Sequence, residues 1–328
     1  MTVFSLLTDM VKKAPEKQRI VFPEGDDQRI LTAATKLAAD GLLKPIVLGK
    51  KSEVAKLAAD AGLDLTGVEI FDPAEYANYE QMYEVYRASS KKAVSLDEIK
   101  QNCAQGNYFA TLLVKMGEAD GMVSGANHTT ANTVLPALKL IHAKPGMHRV
   151  SGSFVMEKGA EKYIFADCAI NIDPDAQILS EVAYQSALTA KMVGIDPKVA
   201  FLSFSTKGSA KGEMVDKVVE ACKLFQAAHP DIPADGELQF DAAFVPSVGE
   251  KKAPGSKVAG HANVFVFPEL QSGNIGYKLV QRLGGFTAVG PILQGLAAPV
   301  NDLSRGASSQ DVYDMAVLTA AQAVMDKD

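Results

Sequence analysis

The chain has 328 residues, of which 47% are hydrophobic, and its formal net charge at pH 7 is -6. Because proteins that bind nucleic-acid backbones normally carry a concentrated basic excess, this charge argues against a nucleic-acid partner. No apolar run approaches the roughly 20 residues of a membrane span, and the N-terminal apolar patch is broken by Asp9 and lacks a cleavage site, so we expect a cytoplasmic protein without a membrane partner.

Strand and helix patterns alternate along the first part of the chain. Residues 19–22 predict a short buried strand, residues 26–40 have a helical repeat that Gly41 ends, and residues 45–48 predict the next strand. The pattern then recurs, with helices predicted at 52–61 and 104–116 and strands at 68–71 and 121–124. Strands separated by helices of this length predict a parallel sheet with helices on both faces.

The pattern changes near Pro145. Residues 73–106 are rich in charge and tyrosine, and they predict one or two exposed helices that could act as a flap. After Pro145, apolar runs at 151–156 and 162–166 predict an antiparallel hairpin. Chains beyond roughly 250 residues usually divide, so we place a domain boundary here. The remaining predicted elements are helices at 177–192, 213–228 and 309–325, strands at 199–204, 264–267 and 288–289, and a loop at 246–260.

The common nucleotide and metal signatures are absent from the sequence. There is no GxGxxG, and the stretch from Gly49 to Ser52 lacks the upstream glycine of a Walker loop because residue 44 is lysine. HExxH, GxSxG and a metal-type carboxylate cluster are also missing. The three cysteines are far apart and outside any CxxC spacing, which favours buried thiols over a disulfide or zinc site. We therefore expect no metal and no tightly bound cofactor.

Two polar segments follow predicted strands, where ligands collect in α/β sheets. The first is residues 124–130 (SGANHTT), whose hydroxyls and exposed backbone N–H groups suit a phosphate. An ordinary helix-capping loop explains this segment equally well. The second is residues 203–210, in which Lys207 is either a point-charge ligand for an anion or a solvated turn residue.

A third polar segment precedes the last predicted helix. Ser304 and Arg305 are adjacent there, which places a hydroxyl donor for an oxyanion beside a guanidinium fork for a phosphate. Asp311 follows at the third helical position, and the run from Ser308 to Asp311 also fits a capping box. On spacing alone, capping is favoured over catalysis for Asp311.

An ordered series of short stretches resembles the phosphate acetyltransferase (phosphotransacetylase) family along essentially the whole chain. The stretches are FPEGD at 22–26, DGMVSGANHTT at 120–130, IFADCA at 164–169, LSFSTKGSA at 202–210, GELQFD at 236–241, GNIGY at 273–277 and GPILQGLAAPVNDLSRG at 290–306. The last of these, continued to Asp311, is the most specific. One short motif can arise by chance, but an ordered series of seven is not expected to.

The resemblance implies a fold and an activity. The fold would be two three-layer α/β domains with mostly parallel sheets flanking a cleft, as in the isocitrate and isopropylmalate dehydrogenases. Residues 1–145 and 297–328 would form the first domain, to which the C-terminal helix returns, and residues 146–296 the second, dimerising domain. The activity would be that of a homodimeric acyltransferase of acetate metabolism, which moves acetyl between acetyl phosphate and coenzyme A, with coenzyme A and phosphate as substrates.

The resemblance also implies residue roles. Asp311 matches the family's general base, Ser304 its hydrogen-bond donor to the transition state, Arg305 a ligand of acetyl phosphate, and Arg87 a coenzyme A or substrate contact. The other predicted substrate-binding residues come from the first two polar segments, and they are Ser124, Asn127, His128, Thr129, Thr130, Ser205, Thr206 and Lys207.

The chain departs from the family at Leu135, where the matching helix carries arginine. The basic side chains of Lys91, Lys92 and Arg149 are candidates to compensate. Because the chemistry lies elsewhere, this difference affects the expected substrate affinity more than the expected reaction.

The expected mechanism begins with a thiolate, because a neutral thiol is a poor nucleophile. Asp311 would remove the thiol proton once substrates exclude water from it, and the thiolate would attack the acetyl carbonyl directly. Cys168 is a rival nucleophile for a covalent route, but its apolar neighbours predict burial. Alternative functions are a phosphate butyryltransferase, a dehydrogenase on the same fold and a non-catalytic protein that senses coenzyme A.

Overall fold

The computed structural model describes residues 2–90 and 92–327. The chain forms two compact units. The terminal unit comprises Phe4–Lys144 and the chain from Leu296 onward, and the central unit comprises Pro145–Gly295 with the residues before Phe4. Within the described residues, no helix is long and apolar enough to cross a membrane.

The terminal unit is built on a parallel sheet. Its strands are β1 (Arg19–Phe22), β2 (Lys44–Leu48), β3 (Glu69–Phe71), β4 (Gly121–Ser124) and β11 (Val300–Asp302). They lie in the order β11-β4-β1-β2-β3, and every neighbouring pair is parallel, as predicted for this half. The chain runs from β1 to β2 on one side and later adds β4 on the other side of β1. Ligands bind α/β sheets at the carboxyl ends of the strands beside such a reversal.

Helices cover this sheet. They are α1 (Val3–Lys13), α2 (Gln28–Ala39), α3 (Lys51–Asp60), α4 (Tyr79–Ser89), α5 (Leu96–Cys103), α6 (Gly106–Lys115), α7 (Thr130–Leu140) and α13 (Ser309–Met325). Helix α13 packs against α2, β1 and β4. Ile30 and Leu37 of α2 and Leu318 of α13 are fully buried, and each such side chain contributes about 1.5–3 kcal/mol. This packing fixes where α2 and α13 begin relative to the strand ends.

The central unit has a mixed sheet. Its strands are β5 (Ser151–Lys158), β6 (Glu161–Ala166), β7 (Val199–Leu202), β8 (Ala234–Leu238), β9 (Val264–Val266) and β10 (Thr287–Gln294), and its helices are α8 (Ala176–Met192), α9 (Glu213–Ala228), α10 (Phe240–Phe244), α11 (Pro246–Lys252) and α12 (Leu270–Gly284). The strand order is β10-β5-β6-β9-β7-β8. Strands β5 and β6 form the predicted antiparallel hairpin, and β6, β9, β7 and β8 are parallel to one another.

The predicted loop at 246–260 is wrong at its start, because α11 begins there. Pro246 occupies the first helical turn, where its missing N–H costs no hydrogen bond. Gly249 is buried, and a side chain there would meet the backbone of Gly260 at 2.6 Å, so this glycine serves close packing rather than flexibility. Helix α12 was not predicted either, and it also contains a glycine that serves close packing. Its Gly273 allows approach to the Asp167 carbonyl, which an added Cβ would meet at 2.2 Å.

Candidate functional site

Two of the polar segments meet at the carboxyl ends of β4 and β11. The N–H of Leu303 donates to the Ser124 carbonyl at 2.7 Å, and the Thr130 hydroxyl donates to Asp302 Oδ2 at 2.6 Å. Gly125, with φ of 114°, permits this approach, since a Cβ there would lie 2.6 Å from Asp302 Oδ1. The segment 124–130 and the segment that carries Ser304 therefore lie side by side within the terminal unit.

The carboxylate of Glu24 occupies the backbone donors of the first segment. Glu24 follows β1 and is 1% exposed. Its Oε2 accepts the N–H groups of Gly125 and Ala126, both at 3.0 Å, and its Oε1 accepts those of Asn127 and His128 at 2.7 and 3.2 Å. The protein's own carboxylate thus accepts these N–H groups, and phosphate binding by the 124–130 segment stays a prediction that depends on its side chains.

The side chains of this segment differ in what they offer a ligand. Those of Asn127, Thr129 and Thr130 belong to exposed residues, and His128 is half-buried, with Nδ1 2.8 Å from Glu24 Oε1. The hydroxyl of Thr129 donates to Asn132 at 2.7 Å. Ser124 is buried and donates to Asn107 Oδ1 at 3.0 Å, so its hydroxyl positions the loop rather than facing solvent.

Arg29, in the first turn of α2, joins the two segments. Its Nη1 donates to the carbonyls of Arg305 and Ala307 at 2.9 and 2.8 Å, and its Nη2 donates to the carbonyl of Ala126 at 2.9 Å. The same guanidinium binds the carboxylate of Asp27 at 2.6 Å. Burial alone would raise the pKa of Asp27, but the hydrogen bonds from Arg29 outweigh it and hold that pKa below its usual range. The ion pair of Arg29 and Asp27 thus holds the 124–130 segment and the segment that carries Ser304 next to each other.

Asp302 brings a buried carboxyl group to the junction. It is 3% exposed, and burial raises its pKa, although the hydrogen bond from Thr130 opposes the rise. The charge of Glu24 adds to the increase. Two buried carboxyl groups, those of Asp302 and Glu24, therefore lie at the junction.

Ser304 and Arg305 are exposed at the end of β11. From the described residues, the Ser304 hydroxyl accepts one long hydrogen bond, from the Gly306 N–H at 3.3 Å. In the described part of the chain, the Arg305 guanidinium forms no hydrogen bond or ion pair, although its carbonyl is held by Arg29. The backbone at this point is thus fixed while the hydroxyl and the guanidinium are available to a ligand.

Asp311 forms the predicted capping box at the start of α13. Its Oδ2 accepts from the N–H and the hydroxyl of Ser308, both at 2.8 Å, and its N–H donates to the Ser308 hydroxyl at 3.2 Å. Oδ1 accepts no hydrogen bond from the described residues. Asp314 lies one turn further on, where burial raises its pKa and the charge of Asp311 raises it further. Capping therefore uses one oxygen of Asp311 and leaves the other exposed.

Arg87 and Leu135 are exposed on neighbouring helices. Arg87 is in the last turn of α4 and Leu135 is on α7, and these two helices pack together. No described residue pairs with the Arg87 guanidinium. Lys92 is exposed in the same unit, Arg149 belongs to the central unit, and Lys91 lies outside the described residues.

Ser205, Thr206 and Lys207 belong to the central unit, where the protein already binds their polar groups. The Ser205 hydroxyl donates to Glu237 at 2.8 Å, and Thr206 Oγ1 accepts the Gln239 N–H at 2.9 Å. The Lys207 ammonium forms an ion pair with Asp235. Anion binding by Lys207 stays a prediction, and it would require that ion pair to open.

Cys168, the rival nucleophile, lies where a thiolate is disfavoured. Cys168 is fully buried, and burial raises its pKa well above the usual range, with the charge of Asp167 adding to the shift. Its thiol is therefore protonated at neutral pH, whereas the thiolate is the nucleophile. Over residues 2–90 and 92–327, no group of three or more His, Cys, Asp or Glu side chains is arranged to hold a metal ion.

Glu24, Asp27 and Arg29 belong to the site, although no pattern in the sequence predicts a role for them. They lie about a hundred residues or more from the segments that they hold, and only β1 brings them there. Glu24 lies in the family motif at 22–26, whereas Asp27 and Arg29 follow it, outside any motif.

Comparison with known proteins identifies relatives along nearly the full chain. The family model described as phosphate acetyl/butaryl transferase matches residues 3–320. The phosphate acetyltransferase of Bacillus subtilis is 54% identical over 313 residues, which cover 95% of this chain and 97% of that one. That of Staphylococcus epidermidis is 53% identical over 327 residues, with 98% and 99% covered.

Solved structures are similar in fold. The crystal structure of a phosphotransacetylase from Streptococcus pyogenes has a TM-score of 0.96 at 53% identity and covers 99% of this chain and 100% of that one. A branched-chain phosphotransacylase from Enterococcus faecalis, at 21% identity, has a TM-score of 0.66. A putative 4-hydroxythreonine-4-phosphate dehydrogenase from Salmonella typhimurium, at 15% identity, has a TM-score of 0.53. The predicted dehydrogenase-like α/β fold class, with mostly parallel sheets, is confirmed.

Proposed function

This chain belongs to the phosphate acetyl/butaryl transferase family, and on that basis we propose that it transfers acetyl between acetyl phosphate and coenzyme A, giving acetyl-CoA and phosphate. The predicted family and acyltransferase class are confirmed by the match over residues 3–320. One structural observation carries the assignment to a site. The exposed groups of Ser304, Arg305 and Asp311 lie at the carboxyl end of β11 and the start of α13, on a backbone that Arg29 anchors beside the 124–130 segment.

The proposed reaction starts at the thiol of coenzyme A. A thiol with a pKa of roughly 8.5 is mostly protonated at pH 7, so a base must remove its proton. Asp311 Oδ1 is the oxygen free for this task, because Oδ2 accepts the Ser308 hydrogen bonds. The sulfur then attacks the acetyl carbonyl, and the bond between that carbon and the phosphate oxygen breaks. The Ser304 hydroxyl donates to the oxyanion and Arg305 binds the departing phosphate.

The substrates supply every reacting group in this scheme, so it requires no tightly bound cofactor. Arg87, the half-buried His128 and the exposed residues Asn127, Thr129 and Thr130 are proposed substrate contacts. The hydroxyls of Ser205 and Thr206 are already used within the central unit, which makes them weaker candidates. All three cysteines are free thiols, which suits the reducing cytoplasm in which we propose that the enzyme works.

Acyl-phosphate preference tests the proposed function and its alternative. The purified protein is supplied with coenzyme A and acetyl, propionyl or butyryl phosphate, and loss of the free thiol is followed. We expect the highest kcat/KM with acetyl phosphate. A higher kcat/KM with butyryl phosphate would favour a phosphate butyryltransferase, while binding of coenzyme A without turnover of any acyl phosphate would favour the non-catalytic alternative.

We also propose that the chain forms a homodimer through an apolar face on the central unit. Helix α12 exposes Ile275, Leu279 and Leu283 at four-residue intervals, so they share one face, and Leu283 is 83% exposed. A hollow of about 360 Å³ beside them is lined by aromatic side chains, which include Tyr163, Phe240, Phe244, Phe265 and Phe286. Apolar surface of this kind is stabilised by burial against a partner of matching character, and the same face of a second copy has that character.

Replacing Leu279 and Leu283 together by Asp should convert the dimer to a monomer. Each leucine contributes about 1.5–3 kcal/mol on burial, and each aspartate would bring an unpaired charge into the contact. Light scattering coupled to gel filtration gives the mass at micromolar concentration. The control is Leu96→Asp, which alters an exposed leucine of the terminal unit and should leave the mass at two chains. A double variant that still elutes with the mass of two chains would move the interface elsewhere.

A further inference from the structure

The scheme above leaves the departing phosphate without a proton. Acetyl phosphate is a dianion at neutral pH, and breaking its carbon–oxygen bond after thiolate attack would release a trianion. The stable product is hydrogen phosphate, so one proton must reach the leaving oxygen. In the proposed reaction Asp311 takes a proton from sulfur. Proton balance is met if Asp311 returns this proton to the phosphate or if a second group donates one; a donor held beside the phosphate makes that transfer direct, and this inference rests on the proposed function.

His128 has the geometry of such a donor. Its Nδ1 lies 2.8 Å from Glu24 Oε1, and Glu24 already accepts four backbone N–H groups. The proton between the carboxylate and the ring therefore belongs to Nδ1. The other ring nitrogen, Nε2, forms no hydrogen bond with the described residues, and the His128 side chain is 39% exposed. One edge of the ring is thus held by the protein while the other is open to a ligand.

The position of His128 relative to Arg305 follows from Arg29. A single guanidinium donates to the carbonyl of Ala126, two residues before His128, and to the carbonyl of Arg305. Because one guanidinium contacts both carbonyls, the backbone at Ala126 and the backbone at Arg305 are separated by no more than the width of the Arg29 guanidinium and its two hydrogen bonds. A phosphate held by the Arg305 side chain would lie next to the segment that carries His128. The charged groups bound to this segment or to its anchors are Glu24, Asp27, Arg29 and Asp302.

We propose that His128 Nε2 donates the proton that the leaving phosphate acquires, and that Glu24 is its positioning residue. The sulfur–carbon bond forms, the carbon–oxygen bond breaks, and the proton on Nε2 passes to the phosphate oxygen to give hydrogen phosphate. His128 becomes neutral, with its remaining proton on Nδ1. It regains a proton from solvent, to which Asp311 releases the one taken from the thiol, so protons balance over a turnover. In the reverse direction, neutral Nε2 accepts the proton from hydrogen phosphate.

Two substitutions of His128 separate proton donation from loop support. His128→Asn keeps an amide donor at the place of Nδ1, so the bond to Glu24 is retained while Nε2 is lost. His128→Gln places a neutral amide near Nε2 and loses the donor to Glu24. We expect His128→Asn to lower kcat about 10²-fold, the low end for a positioned proton donor, with KM for acetyl phosphate changed less than threefold and the melting temperature unchanged.

Imidazole rescue and coupling to Glu24 complete the test. Added imidazole should restore part of the activity of His128→Ala, because it can supply the missing acid. Glu24→Gln should lower kcat, and the double variant with His128→Asn should lose no more activity than the worse single variant, since both act through one group. If Glu24 served only to stabilise the fold, its loss would multiply with that of His128.

The outcomes separate this proposal from the proposed function. A wild-type protein without acetyl transfer activity would overturn both. An active wild type whose His128→Asn variant retains more than a third of its kcat would overturn only the role of His128. Nitrogen NMR of the ring provides an independent check, in which the neutral form should carry its proton on Nδ1. A proton on Nε2 would contradict the role of Glu24.

Discussion

Replacing Asp311 by Asn should lower kcat for acetyl-CoA formation about 10²- to 10³-fold, because the amide cannot accept the thiol proton. The fold should survive the change. The Asn side chain retains an oxygen that accepts the Ser308 N–H. The hydrogen bond from the N–H of residue 311 to the Ser308 hydroxyl uses a backbone donor, so the substitution does not remove it. The loss of capping should therefore cost at most about 1 kcal/mol. Steady-state rates and thermal melts of the same preparation measure both quantities.

Two controls separate the proposed base from the cap. Ser308→Ala removes the capping hydroxyl but keeps the Asp311 carboxylate, so stability should fall by about 0.5–2 kcal/mol while kcat falls far less than for Asp311→Asn. Asp314→Asn removes the next carboxyl group on α13 and should leave kcat within about threefold of wild type. The base assignment is rejected if Asp311→Asn itself stays within that threefold range.

The second large effect is expected for Ser304→Ala, which should also lower kcat about 10²- to 10³-fold. The hydroxyl donates to an oxyanion that exists only during the reaction, so KM for both substrates should change little. Stability should hold, because the hydroxyl accepts a long hydrogen bond of 3.3 Å from Gly306 while the Ser304 carbonyl keeps its bond from the Ala307 N–H. Measurement of kcat and KM with each substrate in excess checks that kcat falls while KM stays nearly constant.

Ser309→Ala is the matched control for Ser304→Ala. It removes the hydroxyl that follows the helix cap, and it should leave kcat near the wild-type value. A Ser304→Ala variant with normal kcat and raised KM would show that the hydroxyl binds the ground state of the substrate instead. Loss of thermal stability in that variant would point to a role in holding the turn before α13.

Local features of the site were predictable because neighbouring residues determine them. The capping box depends on Ser308 and Asp311, which are three residues apart at the start of an apolar helix, and α13 begins where that pattern predicts. The antiparallel hairpin likewise follows from two apolar runs joined by a short turn. The family resemblance predicted the reaction, because an ordered set of motifs identifies a family even where the geometry of the site is unknown.

The contacts that organise the site depend on tertiary structure. Glu24 accepts the N–H groups of a loop about a hundred residues later, and Arg29 binds a segment nearly three hundred residues later. No periodicity links such positions, because the pairing arises from the order of β1, β4 and β11 in the sheet. The loop sequence SGANHTT by itself determined that a polar turn follows β4. The order of the strands in the sheet decided that the Glu24 carboxylate, rather than a phosphate, accepts the backbone N–H groups of that turn. The buried carboxylate and these N–H groups satisfy each other's hydrogen-bonding capacity.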